Sequence, residues 1–277
     1  MKLITTEEHL RSHIPNIIAS VKGETPLLEK LSLFLDLAED WVINTFTSTS
    51  TFNTICGYTD SNNIRILCCR LVVAEALLRA IPSLDIVLTP NGFGVVSNQN
   101  VAPASKDRVE RLIASLADYR DDCIANLLPH LVGASQWLNS EQAQFFGATL
   151  FPDLSVCDSV PGKGGKWQRY LELRSSICDF EDSLAEDFFS PELVARLREQ
   201  NLRRSLPTSA MPVVNAIRAQ VIEMLKGQPI SMRRMIDTVN IIRNSQISFP
   251  EWHSSATAKL FSSIRFENNK ENKGYWF

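Results

Sequence analysis

Apolar residues recur every three or four positions from Leu27 through Leu31, Phe34, Ala38, Trp41 and Val42 to Phe46, which predicts one amphipathic helix with a single buried stripe. Thr25 stands where an N-cap belongs, with Pro26 at the first helical position. The Thr/Ser run 45–54 is expected to end this helix. Before it, Thr5 and Glu8 have the spacing of a capping box, opening a short helix that stops near Pro15. From about Ile64 to Ile81 the apolar residues surround the axis, which predicts a central helix, with Glu75 and Arg79 placed to neutralise each other. A third long helix is expected from Ser105 to Pro129, and a shorter one carries Trp137, Ala143 and Phe146. Further helices are expected near 166–189, 192–204, 210–226, 231–245 and 252–264.

Period-two alternation is confined to Leu84–Ser97, around Asn91-Gly92, a dipeptide that accepts the positive φ angles of a tight hairpin. Pro90 has no N–H to give a ladder and belongs at a strand end. A lone two-stranded hairpin is marginal in water. Leu84, Ile86, Leu88, Phe93 and Val95 therefore require a surface, either the chain's own helices or a neighbouring subunit. The fold class is mainly α.

Two segments align without a gap at an offset of 115 residues. Trp137, Ser140, Ala143, Phe146 and Phe151 match Trp252, Ser255, Ala258, Phe261 and Phe266. Upstream, Leu78 and Pro82 match Leu225 and Pro229, and Ser105 and Arg108 match Ser231 and Arg234. The expectation is a helical bundle of two related helical units, residues 24–152 and 166–266, with the hairpin 84–97 inserted in the first. An N-terminal helical arm (1–23), a linker (153–165) and a C-terminal tail (267–277) complete the organisation.

Composition adds limits. The chain has 277 residues, 44% hydrophobic and 21% charged, an ordinary globular balance. No apolar run approaches the roughly 20 residues a bilayer span needs, so no membrane is expected. Six cysteines without a C-x-x-C pair, none near a histidine in the sequence, are read as reduced thiols of a protein made in the cytoplasm. His9 and His13 stand i,i+4 but lack a zincin glutamate and are read as surface histidines. Pro161-Gly-Lys-Gly-Gly-Lys166 departs from the phosphate-loop spacing, because Trp167 follows the lysine. No acid, base, nucleophile or metal set stands out, so neither an enzyme nor a cofactor is expected.

The net charge of −3 is unevenly spread. Residues 1–60 are acidic, whereas Arg196, Arg198, Arg203, Arg204, Arg233 and Arg234 lie in a basic stretch that offers a candidate face for DNA or for head-to-tail association. Tyr275, Trp276 and Phe277 end the chain after a polar tether and are expected to dock, on this chain or on a partner.

The stretch Ala80–Asn98, with Ala102-Pro-Ala-Ser105 and Arg108-Val-Glu-Arg-Leu112, resembles an uncharacterised family encoded in tailed-phage and prophage structural modules. The capping box followed by a helix with Ala38-Glu39-Asp40-Trp41 is similar to the start of helical head–tail connector (adaptor) proteins. The resemblance implies a virion structural protein of the neck, a connector forming a ring of its own copies between portal and tail proteins at the head–tail junction. DNA would pass through its channel. The hairpin residues Leu84, Ile86, Leu88, Pro90, Asn91, Gly92, Phe93 and Val95 and the aromatic tail would then be its contact elements. A helical DNA-binding or packaging accessory protein is the alternative.

Overall fold

The computed structural model describes residues 2–15, 25–84, 86–89, 92–95, 105–134 and 136–262; the side chains of 86–95 lie outside that description. The chain is mainly helical and divides into two compact units. Unit 1 comprises Met1–Ile177 with Arg198–Ser205, and unit 2 comprises Cys178–Leu197 with Leu206–Phe277.

Unit 1 opens with α1 (Glu7–His13), whose N-cap is Thr6, accepting from the His9 N–H, rather than the expected Thr5. Next comes α2 (Leu27–Val42), where Thr25 does not cap. The Glu7 carboxylate accepts from the Leu28 N–H at 2.9 Å instead, so the free N–H of the first turn is already satisfied. The Thr/Ser run does end this helix, at Ser48. α2 passes into a π-helical turn (Ile43–Thr47) and then, across Ser48, into α3 (Thr49–Cys56), which buries Thr51, Phe52 and Ile55.

α4 (Asn63–Ala80) is buried on nearly every side and packs against α1, α2 and α5. Its one buried charge, Glu75, is held by Arg79 Nε at 2.8 Å and by Arg120 Nη1 at 3.2 Å, which offsets the cost of taking a carboxylate out of water. A 3-10 turn (Ile81–Ser83) leads to β1 (Ile86–Thr89) and β2 (Gly92–Val95), two four-residue antiparallel strands pairing Ile86 with Val95 and Leu88 with Phe93.

α5 (Lys106–Leu131) runs two residues past Pro129, so that proline sits inside the last turn rather than closing the helix. A 3-10 turn (Trp137–Asn139), α6 (Glu141–Gly147) and α7 (Val156–Ser159) follow. Residues 153–165, expected as a linker, fall within unit 1, where they bury Leu154, Val156, Cys157 and Val160.

α8 (Lys166–Leu184) begins where the buried Asp121 carboxylate accepts from the Trp167 N–H at 3.2 Å. Gly165 is required there, because a Cβ would stand 2.6 Å from Asp121 Oδ2. α8 ends in a second π-helical turn (Ala185–Phe189), and Ser190 leads into α9 (Pro191–Leu202). α10 (Met211–Leu225) and α11 (Met232–Arg243) pack together in unit 2. The last expected helix is broken into α12 (Pro250–His253) and α13 (Ala256–Leu260), with Ser255 capping the second piece through the Ala258 N–H.

Each unit contains the same joint. In unit 1 the π-helical turn ends at Ser48, φ 73°, a value that L-residues rarely adopt. The freed Phe46 carbonyl accepts from Trp137 Nε1 at 2.6 Å, and the Asn44 carbonyl accepts from the Gln142 amide at 3.1 Å. In unit 2 the turn ends at Ser190, φ 63°. There the Phe188 carbonyl accepts from Trp252 Nε1 at 2.9 Å, and the Glu186 carbonyl accepts from the Thr257 hydroxyl at 3.2 Å. Ser140 and Ser255 each accept from the N–H three residues on, and each hydroxyl donates back to the tryptophan carbonyl. Phe46 meets Phe146 at 6.0 Å between ring centroids, and Phe188 meets Phe261 at 6.2 Å.

Candidate functional site

Of the expected hairpin contacts, Leu84 is exposed, Ile86, Leu88, Gly92, Phe93 and Val95 lie on β1 and β2, and Pro90 and Asn91 fall outside the described residues. Tyr275, Trp276 and Phe277 also fall outside them. The surface offered by the described residues lies elsewhere. On α2, Leu33 and Leu37 are exposed one turn apart, on the side away from the buried Leu31, Leu35 and Ala38. On α11, Met232 and Ile236 repeat that i,i+4 spacing but flank the buried stripe of Met235, Val239 and Ile242 rather than opposing it, and exposed Ile230 precedes them. Unit 1 also has an apolar cleft of about 440 Å³ walled by Trp41, Phe145, Trp167 and Leu171, with Asn44, Thr45, Glu141 and Gln142 at its edge.

The six expected basic-face arginines do not gather in one unit. Arg198, Arg203 and Arg204 belong to unit 1, and Arg196, Arg233 and Arg234 to unit 2. Four of them face carboxylates. Arg196 pairs with Glu251 at 3.3 Å, Arg203 with Glu199 at 3.0 Å and Arg234 with Glu223 at 2.8 Å, while Arg233 approaches Asp237 at 3.9 Å. The Arg196 and Arg234 pairs are partly buried, whereas those of Arg203 and Arg233 are exposed surface pairs; in all four the neighbouring carboxylate offsets part of the charge offered to a phosphate backbone.

His9 and His13, expected at the surface, are both half-buried, because α1 packs against α4. Their rings meet edge-on, with centroids 4.9 Å apart. Buried Cys69 of α4 completes the group, its Sγ 4.0 Å from His9 Nε2. One nitrogen from each imidazole and this sulfur all lie within 4.8 Å of one another. His13 Nδ1 is buried and makes no hydrogen bond. Burial, His9 and Arg70 push the His13 imidazole down to about 4, and burial pushes the Cys69 thiol up to about 12 against the pull of Arg65. Sequence spacing finds the histidine pair but not the sulfur, which only the packing of α1 on α4 delivers.

Elsewhere Glu39 is one of several buried carboxylates, and its Oε1 accepts from the Leu3 N–H at 2.8 Å. Burial raises its pKa, Leu3 opposes that shift, and neighbouring Asp36 adds to it.

Residues 23–147 match the model of a family of unknown function, DUF6712. That stretch is similar to the family over somewhat less than half of the chain; it contains the joint of unit 1 and stops before that of unit 2. No curated protein and no solved structure matches the chain. Among the described residues no helix is long and apolar enough to cross a membrane.

Proposed function

We propose that this protein is a structural subunit of the phage head–tail interface, a connector between portal and tail that works by binding copies of itself in a ring, without catalysis. The observation that carries the reading is the second apolar stripe on α2 (Leu33, Leu37), opposite a face already buried in its own unit, joined by the exposed Met232 and Ile236 that border the buried stripe of α11. A helix that has filled its core and still shows large aliphatic side chains at helical spacing is suited to a further partner. The resemblance of residues 80–112 to tailed-phage structural modules gives the partner its class.

In this reading the strand pair at 86–95 and the aromatic tail at 275–277 are additional contact elements. The two units are related copies of one helical design; what supports this is the recurrence of the joint, with the same tryptophan–carbonyl bond, the same positive-φ serine and the same capping serine in each.

Quantitative mass spectrometry of purified particles from the phage or prophage that encodes the chain tests the proposal. The protein is expected in fixed ratio to the portal subunit, and in cryo-EM at the junction. Absence from the particle overturns the reading. Leu33→Asp with Leu37→Asp, and Met232→Asp with Ile236→Asp, should give folded protein that no longer enters particles.

A further inference from the structure

We propose that His9, His13 and Cys69 form a three-ligand site for a divalent transition metal, zinc in the first instance, which ties α1 to α4. Two imidazoles and a thiol supply the donor set that a borderline-soft ion prefers over calcium or magnesium. Their i,i+4 spacing presents His9 and His13 on one side of α1, and Cys69 faces them from the central helix.

Bond lengths of roughly 2.0–2.1 Å to nitrogen and 2.3 Å to sulfur place tetrahedral donors about 3.5 Å apart. The donors here all lie within 4.8 Å of one another, with His9 Nε2 4.0 Å from Cys69 Sγ, so binding draws the three side chains inward by about 1 Å, within reach of small rotamer changes. His13 Nδ1 is the independent sign. A buried polar nitrogen without a hydrogen bond calls for an explanation, and a bound ion in this group supplies one, by direct coordination or by reorienting the ring.

Three protein donors leave a fourth position for water or an outside ligand, as in open zinc sites. The surrounding charges are Arg65 and Arg70 against Asp60, with Arg65 engaged by Asp60 at 3.0 Å. The Cys69 thiolate is therefore the anionic donor, and zinc binding releases its proton.

The test uses reduced, tag-free, full-length protein stripped with a chelator, then titrated with Co2+ and competed with Zn2+. One Co2+ per chain is expected, with a thiolate-to-cobalt band in the near ultraviolet that Zn2+ abolishes. Cys69→Ser should lose that band, and His9→Gln and His13→Gln should each weaken binding at least about tenfold. Zn2+ should raise the melting midpoint of the parent protein and not that of the variants. Should Cys69→Ser fail to fold, the two histidine variants decide the matter alone. No stoichiometric binding, a thiolate band that survives Cys69→Ser, or unchanged affinity in both histidine variants overturns the proposal.

Discussion

The two joints solve one problem with partly different side chains. Each must end a long helix in a π-helical turn, reverse through a serine at positive φ, and find donors for the carbonyls left behind. The tryptophan donor is the same in both, and so is the phenylalanine that carries the accepting carbonyl. The second donor differs, an amide from Gln142 in unit 1 and a hydroxyl from Thr257 in unit 2. A buried carbonyl needs a hydrogen bond, but its chemistry is satisfied by any donor of the right reach. The indole is harder to replace, because one side chain must both fill the core and donate.

Replacing each tryptophan by phenylalanine is the severest test of that equivalence. Trp137→Phe and Trp252→Phe should each cost about 2–4 kcal/mol in denaturant unfolding, from the lost volume and the orphaned carbonyl together. A cost near zero at either position would break the comparison.

The starts of α2 and α8 offer a graded contrast, since both first turns are capped by a carboxylate from another helix. Asp121→Ala should cost about 3 kcal/mol, because it leaves Arg120, which bonds Asp121 at 3.1 Å, short of a buried partner. Glu7→Ala, at a more open site, should cost about 1 kcal/mol in the same experiment.

Ser48→Gly and Ser190→Gly should work in the opposite direction. Glycine takes the positive φ freely and gives up only a few tenths of a kcal/mol as a cap, so each should gain about 0.5–1 kcal/mol. Equal gains at the two serines would sharpen the parallel, and thermal melts would read them.

The smallest expected effect concerns Glu39, whose counterpart at the same distance before the joint is the buried Glu181. Because the folded-state pKa of Glu39 is raised above its ordinary value, its contribution favours folding below that value and is lost as pH rises through the folded one. Glu39→Gln should therefore gain stability relative to the parent as pH moves from 4.5 to 7.5, read from urea midpoints at the two pH values.

Much of this was legible before any coordinates. The three-four spacing of α2 and the all-round apolar character of α4 follow from burial alone, so period and composition suffice. The Trp137/Trp252 echo was readable because an indole that donates, a serine that caps and a phenylalanine that stacks are each hard to substitute. The other half of each joint stayed hidden. Phe46 and Phe188, with Ser48 and Ser190, repeat at a different offset, and their role rests on a backbone carbonyl, which carries no residue type. The Thr/Ser run marked the end of the long helix that α2 begins, but the helix that restarts inside the run at Thr49 stayed hidden for a related reason: it depends on one serine at positive φ that caps a new first turn. Cys69 could not be placed beside His9 from spacing, since the approach depends on how α1 lies on α4.

The tryptophan that closes each joint arrives late in synthesis. Phe46 waits for a residue 91 positions downstream and Phe188 for one 64 positions downstream. While the chain emerges from the ribosome, the end of α2 therefore keeps its last carbonyls in water, and the turn at Ser48 lacks the bond that holds it. Each unit locks only when its own indole has left the exit tunnel, so a chain truncated ahead of Trp137 or Trp252 is released with that hinge still open.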